Sequence, residues 1–208
     1  MEDILEVYKR PYDPKRPLVT MDEMNRQLLA DSQHPLPGES GHPKRIDYEY
    51  EREGVANVFL FFEPLRGQRH VEVTEHRTRT DWADVMRTLS DVWCADAERI
   101  VVVMDNLNTH TPASFYESFA PAEARRLSER FEFHYTPKHG SWLNMAEIEL
   151  SVMSRQCLDQ RLPTIGDLTQ EANAWADDRN ARVVKVDWQF TTADARIKLK
   201  HLYPKLDV

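Results

Sequence analysis

Cysteine is scarce in this 208-residue chain, and so is any long apolar run. Cys94 and Cys157 lie far apart and match no zinc-ligand spacing. Both therefore read as small buried residues of a cytosolic protein. No stretch approaches the ~20 apolar residues of a membrane span, and the start MEDILEVYKR lacks the signal-peptide pattern. A membrane partner is not expected. Positive charge is also short. Lys and Arg total 27 against 35 Asp and Glu, a formal net charge of −8. That argues against a domain that holds nucleic acid by bulk electrostatics alone. It leaves room for an enzyme that acts on nucleic acid while another domain does the gripping. Low-complexity tracts and internal repeats are absent, and the 12 prolines fall mainly in loops. What is present, 41% hydrophobic residues, is enough for one domain with a full core.

The most informative stretch is RIVVVMDNLNTH, Arg99 to His110. Ile100 to Met104 is a continuous, mostly β-branched apolar run, which predicts a central strand buried on both faces and running parallel to the first strand. The run ends abruptly at Asp105. A carboxylate at the exit of a buried strand sits where α/β folds keep their chemistry. The plainer alternative is that Asp105 only shapes the turn.

Met1 to Pro17, with three prolines, reads as an extended lead-in or linker stump, and 18–208 as the domain proper. Leu18–Met21 is a short strand that Gln27–Ala30 extends. Asp31–Arg45 is a loop, and Ile46, Tyr48 and Tyr50 alternate as in a half-exposed strand. Val55–Phe62 and His70–Thr74 are further strands, joined without helices and so antiparallel. Trp82, Val85, Met86, Leu89 and Trp93 mark an amphipathic helix over Thr80–Trp93. After the Arg99 strand come a helix over Pro112–Ser128 broken near Pro121, a strand at Phe131–Tyr135, and helices at Met145–Leu158 and Thr164–Asn180. The pair Thr164 and Asp167 caps the second of these, and Thr191 with Asp194 opens a last short helix. The order describes an α/β mixed five-stranded sheet, three antiparallel strands and then parallel ones, with helices on both faces.

Three carboxylates stand out. Asp22 follows a strand, Asp105 follows a strand, and Glu147 opens a helix. At about 100° per residue, Leu143, Ala146, Leu150, Met153 and Cys157 form an apolar arc that contains Glu147 and leaves Glu149 on its flank. An isolated carboxylate facing a core is costly, and a divalent cation relieves it. Two hard cations held by acidic residues from separate elements suit phosphoryl transfer. Glu147 also fits a capping box with Asn144, and spacing alone does not choose Asp22 over Asp13 or Asp31.

The set VTMDE, VVVMDNLNTH and FHYTPKHGSWLNMAEIEL resembles the DDE transposases of bacterial insertion sequences, the bacterial branch of the mariner-like superfamily. DYEYEREGVANVFLF and the closing FTTADARIKLKHLYP extend the resemblance over nearly all of Leu18 to Pro204. The resemblance implies a ribonuclease H-like catalytic domain with Asp22, Asp105 and Glu147 as metal-binding catalytic acids. It implies two Mg²⁺ or Mn²⁺ ions, a water directed at a transposon-end phosphodiester, and attack of the freed 3′-hydroxyl on target DNA without a covalent enzyme intermediate. DNA is then the partner, with a homo-oligomer assembled on it in the cytoplasm, at a prokaryotic nucleoid. Two departures stand out. The helix-turn-helix module usual before such a domain is missing, and 41 residues lie between Asp105 and Glu147, more than is usual, with the surplus placed in Pro121–Arg130.

Supporting residues carry two readings each. His110 either contacts DNA or a water, or fixes a loop through a backbone carbonyl. Asn106 either orients Asp105 or forms the turn. Ser141 and Asn144 precede Glu147, and at least one should cap its helix. Lys138 and His139 are placed to meet a phosphate, and Trp142 is a packing anchor. Arg182 to Val208 holds six Lys or Arg against three Asp, a DNA-contact or simply solvated face. The rivals to a strand transferase are an inactive transposase remnant that binds DNA or the intact enzyme, and a phosphatase-like enzyme with Asp105 as nucleophile. Nothing resembles a nucleophile elbow.

Overall fold

The computed structural model describes residues 1–33, 48–138 and 140–203. The elements, in order, are α1 (Glu2–Tyr8), β1 (Leu18–Asp31), β2 (Tyr50–Glu63), β3 (Gln68–Thr74), α2 (Arg79–Thr88), β4 (Ile100–Met104), α3 (Pro112–Ser118), α4 (Pro121–Arg130), β5 (Phe131–Tyr135), α5 (Met145–Gln156), α6 (Ile165–Ala181) and α7 (Thr192–Lys198). The strands form one sheet in the order β3-β2-β1-β4-β5. β1 with β2 and β2 with β3 are antiparallel; β1 with β4 and β4 with β5 are parallel. This is the mixed α/β sheet expected from the sequence.

β4 is interior and buried along its whole length, as an unbroken apolar run requires. The middle position, however, belongs to β1. Alternation sends Val101 and Val103 into a core with α1, α5 and α6, and Ile100, Val102 and Met104 into a second core with α2, α3 and α4. The same alternation on β1 sends Val19 and Met21 to the α2 side. Asp22 therefore belongs to the α5 face and Glu23 to the α2 face.

Two local expectations change, and a third holds with a longer end. β1 does not stop at Met21. It runs unbroken through Asp22, Glu23, Asn25 and Arg26, because β2 pairs with it from Thr20–Phe62 to Asp31–Tyr50. Backbone pairing outweighs the polar side chains. Its register shifts between Leu28 and Leu29, opposite Gly54 at φ 127, a conformation that a side chain strains. Secondly, residues 2–8 of the expected lead-in are helical, with Ile4, Leu5 and Val7 essentially inaccessible. Two turns are too short to show a helical period, and all three prolines of that region follow the helix. Thirdly, Pro112–Ser128 is two helices broken at Pro121, as the proline suggested, and α4 continues to Arg130. The expected loop at Asp31–Arg45 and the alternation from Ile46 fall largely on residues 34–47, outside the described residues.

Candidate active site

The register of β1 against β4 builds the site. Thr20 pairs with Val103, and continuing that register by two residues sets Asp22 beside Asp105. Parallel neighbours lie about 4.8 Å apart, so two carboxylates are forced close on one side of the sheet. The N-terminus of α5 supplies Glu147. All three line one open cavity of about 1010 Å³, together with Asn106, Leu107, Asn108, Lys138, Ser141 and Asn144.

Asp22 is held from two directions. The Glu23 N–H donates to its Oδ1 at 2.8 Å, and Asn144 Nδ2 donates to its Oδ2 at 3.1 Å. Burial pushes its carboxyl up to about 7, against the Glu23 N–H bond, and the neighbouring charges of Asp105, Glu147 and Glu23 push the same way. Asn144 is fully used: its Oδ1 accepts from the Ala146 N–H as the N-cap of α5, and its Nδ2 also reaches Met21 O at 2.9 Å. Capping and positioning are thus one side chain's work. Ser141 opens a short 3₁₀ turn instead and does not cap α5.

Asp105 leaves the end of β4 and accepts at Oδ1 from His110 Nδ1 at 2.7 Å. The other ring nitrogen of His110, Nε2, meets Glu23 Oε2 at 2.9 Å. Each ring nitrogen thus faces a carboxylate oxygen, an arrangement that favours the imidazolium, the form with two N–H donors. Desolvation opposes that charge, yet the Asp105 and Glu23 bonds outweigh it and the ring is pushed up to about 9. The ring stacks on Trp82, 5.7 Å between centroids, and Arg77 Nη1 lies 3.3 Å from Glu23 Oε1. His110 therefore bridges two carboxylates; the expected bond to a backbone carbonyl is not what holds its ring. Asn106 is exposed, and its side chain makes no hydrogen bond among the described residues, so the orienting of Asp105 falls to His110. Glu23 was not singled out from the sequence. The signal was there: in a strand, adjacent Asp22 and Glu23 must face opposite sides.

Glu147 needs a correction. It is exposed at the third position of α5, and it is Glu149 that is buried, at 2% exposure. The apolar-arc argument had placed these two the other way round. Glu149 enters the core because Arg69 Nε donates to it at 2.7 Å and Arg179 Nη2 at 3.1 Å. The expected capping box with Asn144 is also not made. The Glu147 carboxylate has no hydrogen bond or ion pair among the described residues and is left to the cavity. Lys138 lines the same cavity, while His139 lies outside the described residues. Trp142 packs against Trp188 and edge-on to Phe190, as a packing anchor would, and keeps 40% exposure. In the basic C-terminal region, Arg182, Arg196 and Lys198 are paired with Asp178, Glu2 and Asp194.

Three carboxylates with amide and hydroxyl groups beside them are a hard oxygen donor set, which suits Mg²⁺ or Mn²⁺. Among the described residues no three His, Cys, Asp or Glu side chains are closed into a ready-made cage. Like charges that share a cavity hold apart until a cation joins them.

A family model described as DDE superfamily endonuclease matches residues 17–169. No curated protein matches the chain. Among solved structures, the Mos1 mariner paired-end complex with Mn is similar with a TM-score of 0.56 at 18% identity, over 88% of this chain and 55% of that one. The Mos1 strand transfer complex gives 0.57 at 15%, over 88% and 54%. The Mos1 transposase paired-end complex with the left transposon end gives 0.55 at 16%, over 88% and 56%. At these identities the likeness speaks for the fold, which is ribonuclease H-like. The chain spans a little over half the length of those chains. Since the family match runs from the start of β1 into α6, across all five strands and the three carboxylates, the chain belongs to the DDE superfamily endonucleases.

Proposed function

We propose that this chain is the catalytic domain of a transposase, cleaving DNA at transposon ends and joining the freed 3′-hydroxyl to target DNA. The observation that carries the reading is that Asp22, Asp105 and Glu147 line one cavity, although they come from a strand interior, a strand exit and a helix start. The similar Mos1 structures are paired-end and strand-transfer complexes, which supports DNA as substrate and a homo-oligomer assembled on it. DNA as substrate would place its work at a nucleoid.

Asp22, Asp105 and Glu147 are the residues to hold Mg²⁺ or Mn²⁺, two ions in this reading. The chemistry such ions supply when bound is activation of water and neutralisation of charge on the leaving oxygen. The chain's own residues prepare the site. Asn144 and the Glu23 N–H fix Asp22, and His110 takes one oxygen of Asp105 and leaves Oδ2 for the cavity. Among the described residues, Glu147 carries no competing partner. Lys138, in the cavity wall, is placed to meet a phosphate of the scissile strand.

The test is nicking of supercoiled plasmid in Mn²⁺ by the wild type and by Asp22→Asn, Asp105→Asn and Glu147→Gln. Loss in all three variants, with melting temperatures retained, is expected. Normal nicking by any of them would remove that residue from the catalytic set. A folded wild type that never nicks would favour the inactive-remnant reading.

A further inference from the structure

One dipeptide serves both aspartates. Asp22 faces the cavity, while Glu23, on the opposite side of β1, reaches His110, and His110 reaches Asp105. We propose that Glu23 is a positioning residue that acts through His110 to hold the Asp105 carboxylate in the orientation that receives the metal. The proposal rests on Asp105 being a metal ligand.

The geometry carries it. His110 spends both ring nitrogens on carboxylates, at 2.7 and 2.9 Å, and its side chain is 1% exposed, so it has no remaining donor for DNA or water. Glu23 is 4% exposed at its side chain, and its other oxygen meets Arg77. Trp82 covers the ring, and Tyr135 Oη donates to the His110 carbonyl at 3.2 Å. Ring orientation is therefore fixed from the face, the edge and the backbone. Asp105 itself is partly exposed at the strand exit, and among the described residues its carboxylate makes no other hydrogen bond, so this bond orients it. Without Glu23 the ring loses the anchor opposite Asp105.

Mn²⁺ binding by the metal-stripped chain, read by titration calorimetry, tests the proposal beside melting temperatures in EDTA. Glu23→Ala and His110→Ala should each weaken binding about tenfold, the usual cost of removing a partner behind a metal ligand. His110→Asn should recover most of it, since its Nδ2 takes the place of the ring Nδ1 that bonds Asp105. Adding Glu23→Ala to His110→Asn should then change nothing, because the route from Glu23 runs through the ring Nε2. Should Glu23→Ala fail to fold, Glu23→Gln keeps the volume and should show a few-fold loss. Wild-type affinity in the Glu23 variants, or an undiminished Glu23→Ala effect on top of His110→Asn, overturns the proposal. Asp105→Asn separates the two levels. If it binds Mn²⁺ as the wild type does, Asp105 is no ligand and both readings fail. If it does not bind while the Glu23 variants bind normally, only the present proposal fails.

Discussion

Asp105 commits one carboxylate oxygen to His110 and offers the other to the cavity. Asp105→Asn keeps an oxygen for the His110 Nδ1–H and removes the charge. In EDTA its melting temperature should therefore stay within a few degrees of wild type, or rise as repulsion from Asp22 and Glu147 is relieved. Saturating Mn²⁺ should raise the wild-type melting temperature, as binding at about 100 times Kd stabilises by about 2.7 kcal/mol, and should leave Asp105→Asn unmoved. Equal shifts in the two proteins would place the metal elsewhere. Glu149 behaves in the opposite sense. Glu149→Gln leaves the inaccessible Arg69 guanidinium without its counter-charge, and breaking a buried pair from one side costs about 3–5 kcal/mol. Urea unfolding should show that loss without any change in Mn²⁺ affinity beyond what α5 transmits. A Glu149→Gln protein as stable as wild type would mean that water compensates Arg69.

At the scale of elements, α5 is pinned at its start by Asn144 and in its second turn by Glu149, which is how Glu147 between them is aimed. The N-terminal segment is pinned by charge. Arg10 and Arg16 bond Glu132 on the edge strand β5 at 2.6 and 2.5 Å, and His134 adds a third bond at 3.0 Å. Desolvation pushes the Glu132 carboxyl up, but the Arg10, His134 and Arg16 bonds more than reverse it and hold it down to about 2. A depressed carboxyl stabilises the fold above its unfolded value of 4.5, and that stability is lost as pH falls through about 2. The melting temperature of Glu132→Gln should sit below wild type at neutral pH, by an amount that is full above about 4.5 and gone near about 2. A gap independent of pH would show that the effect is packing and not charge.

For the whole molecule, a net charge of −8 sets how it would meet DNA, the substrate proposed for it. Among the described residues, Arg182, Arg196 and Lys198 of the basic C-terminal region are neutralised by their own partners, which reduces the positive surface free to release counterions. In EDTA at about 150 mM salt, anisotropy of a labelled duplex should show binding weaker than the roughly micromolar end of non-specific affinities. Mn²⁺ should strengthen it in the wild type and not in Asp105→Asn. Tight, metal-independent binding would locate a gripping surface on this chain. Among the described residues no helix is long and apolar enough to cross a membrane.

Asp105 and the start of α5 were legible in the sequence because they sit next to strong local signals, whereas Asp22 came only from the family resemblance, since it lies inside a strand that runs on to Asp31. An unbroken apolar run fixes a buried strand, an aspartate ends it, and an asparagine caps a helix. Thr78 with Asp81, Thr164 with Asp167 and Thr191 with Asp194 close capping boxes for the same local reason. Alternation along β1 was equally local, yet it pointed to Glu23 only once the strand was known to continue past Met21. What the tertiary structure alone decided was which charges are buried. Helical angles place apolar side chains on the core face, but they do not register that Arg69 arrives from β3 to meet Glu149, or that His110 arrives from the β4–α3 loop to meet Glu23. A buried carboxylate is stable only beside a partner that balances it, and that partner is set by which strands lie side by side, not by the residues next to it in the chain.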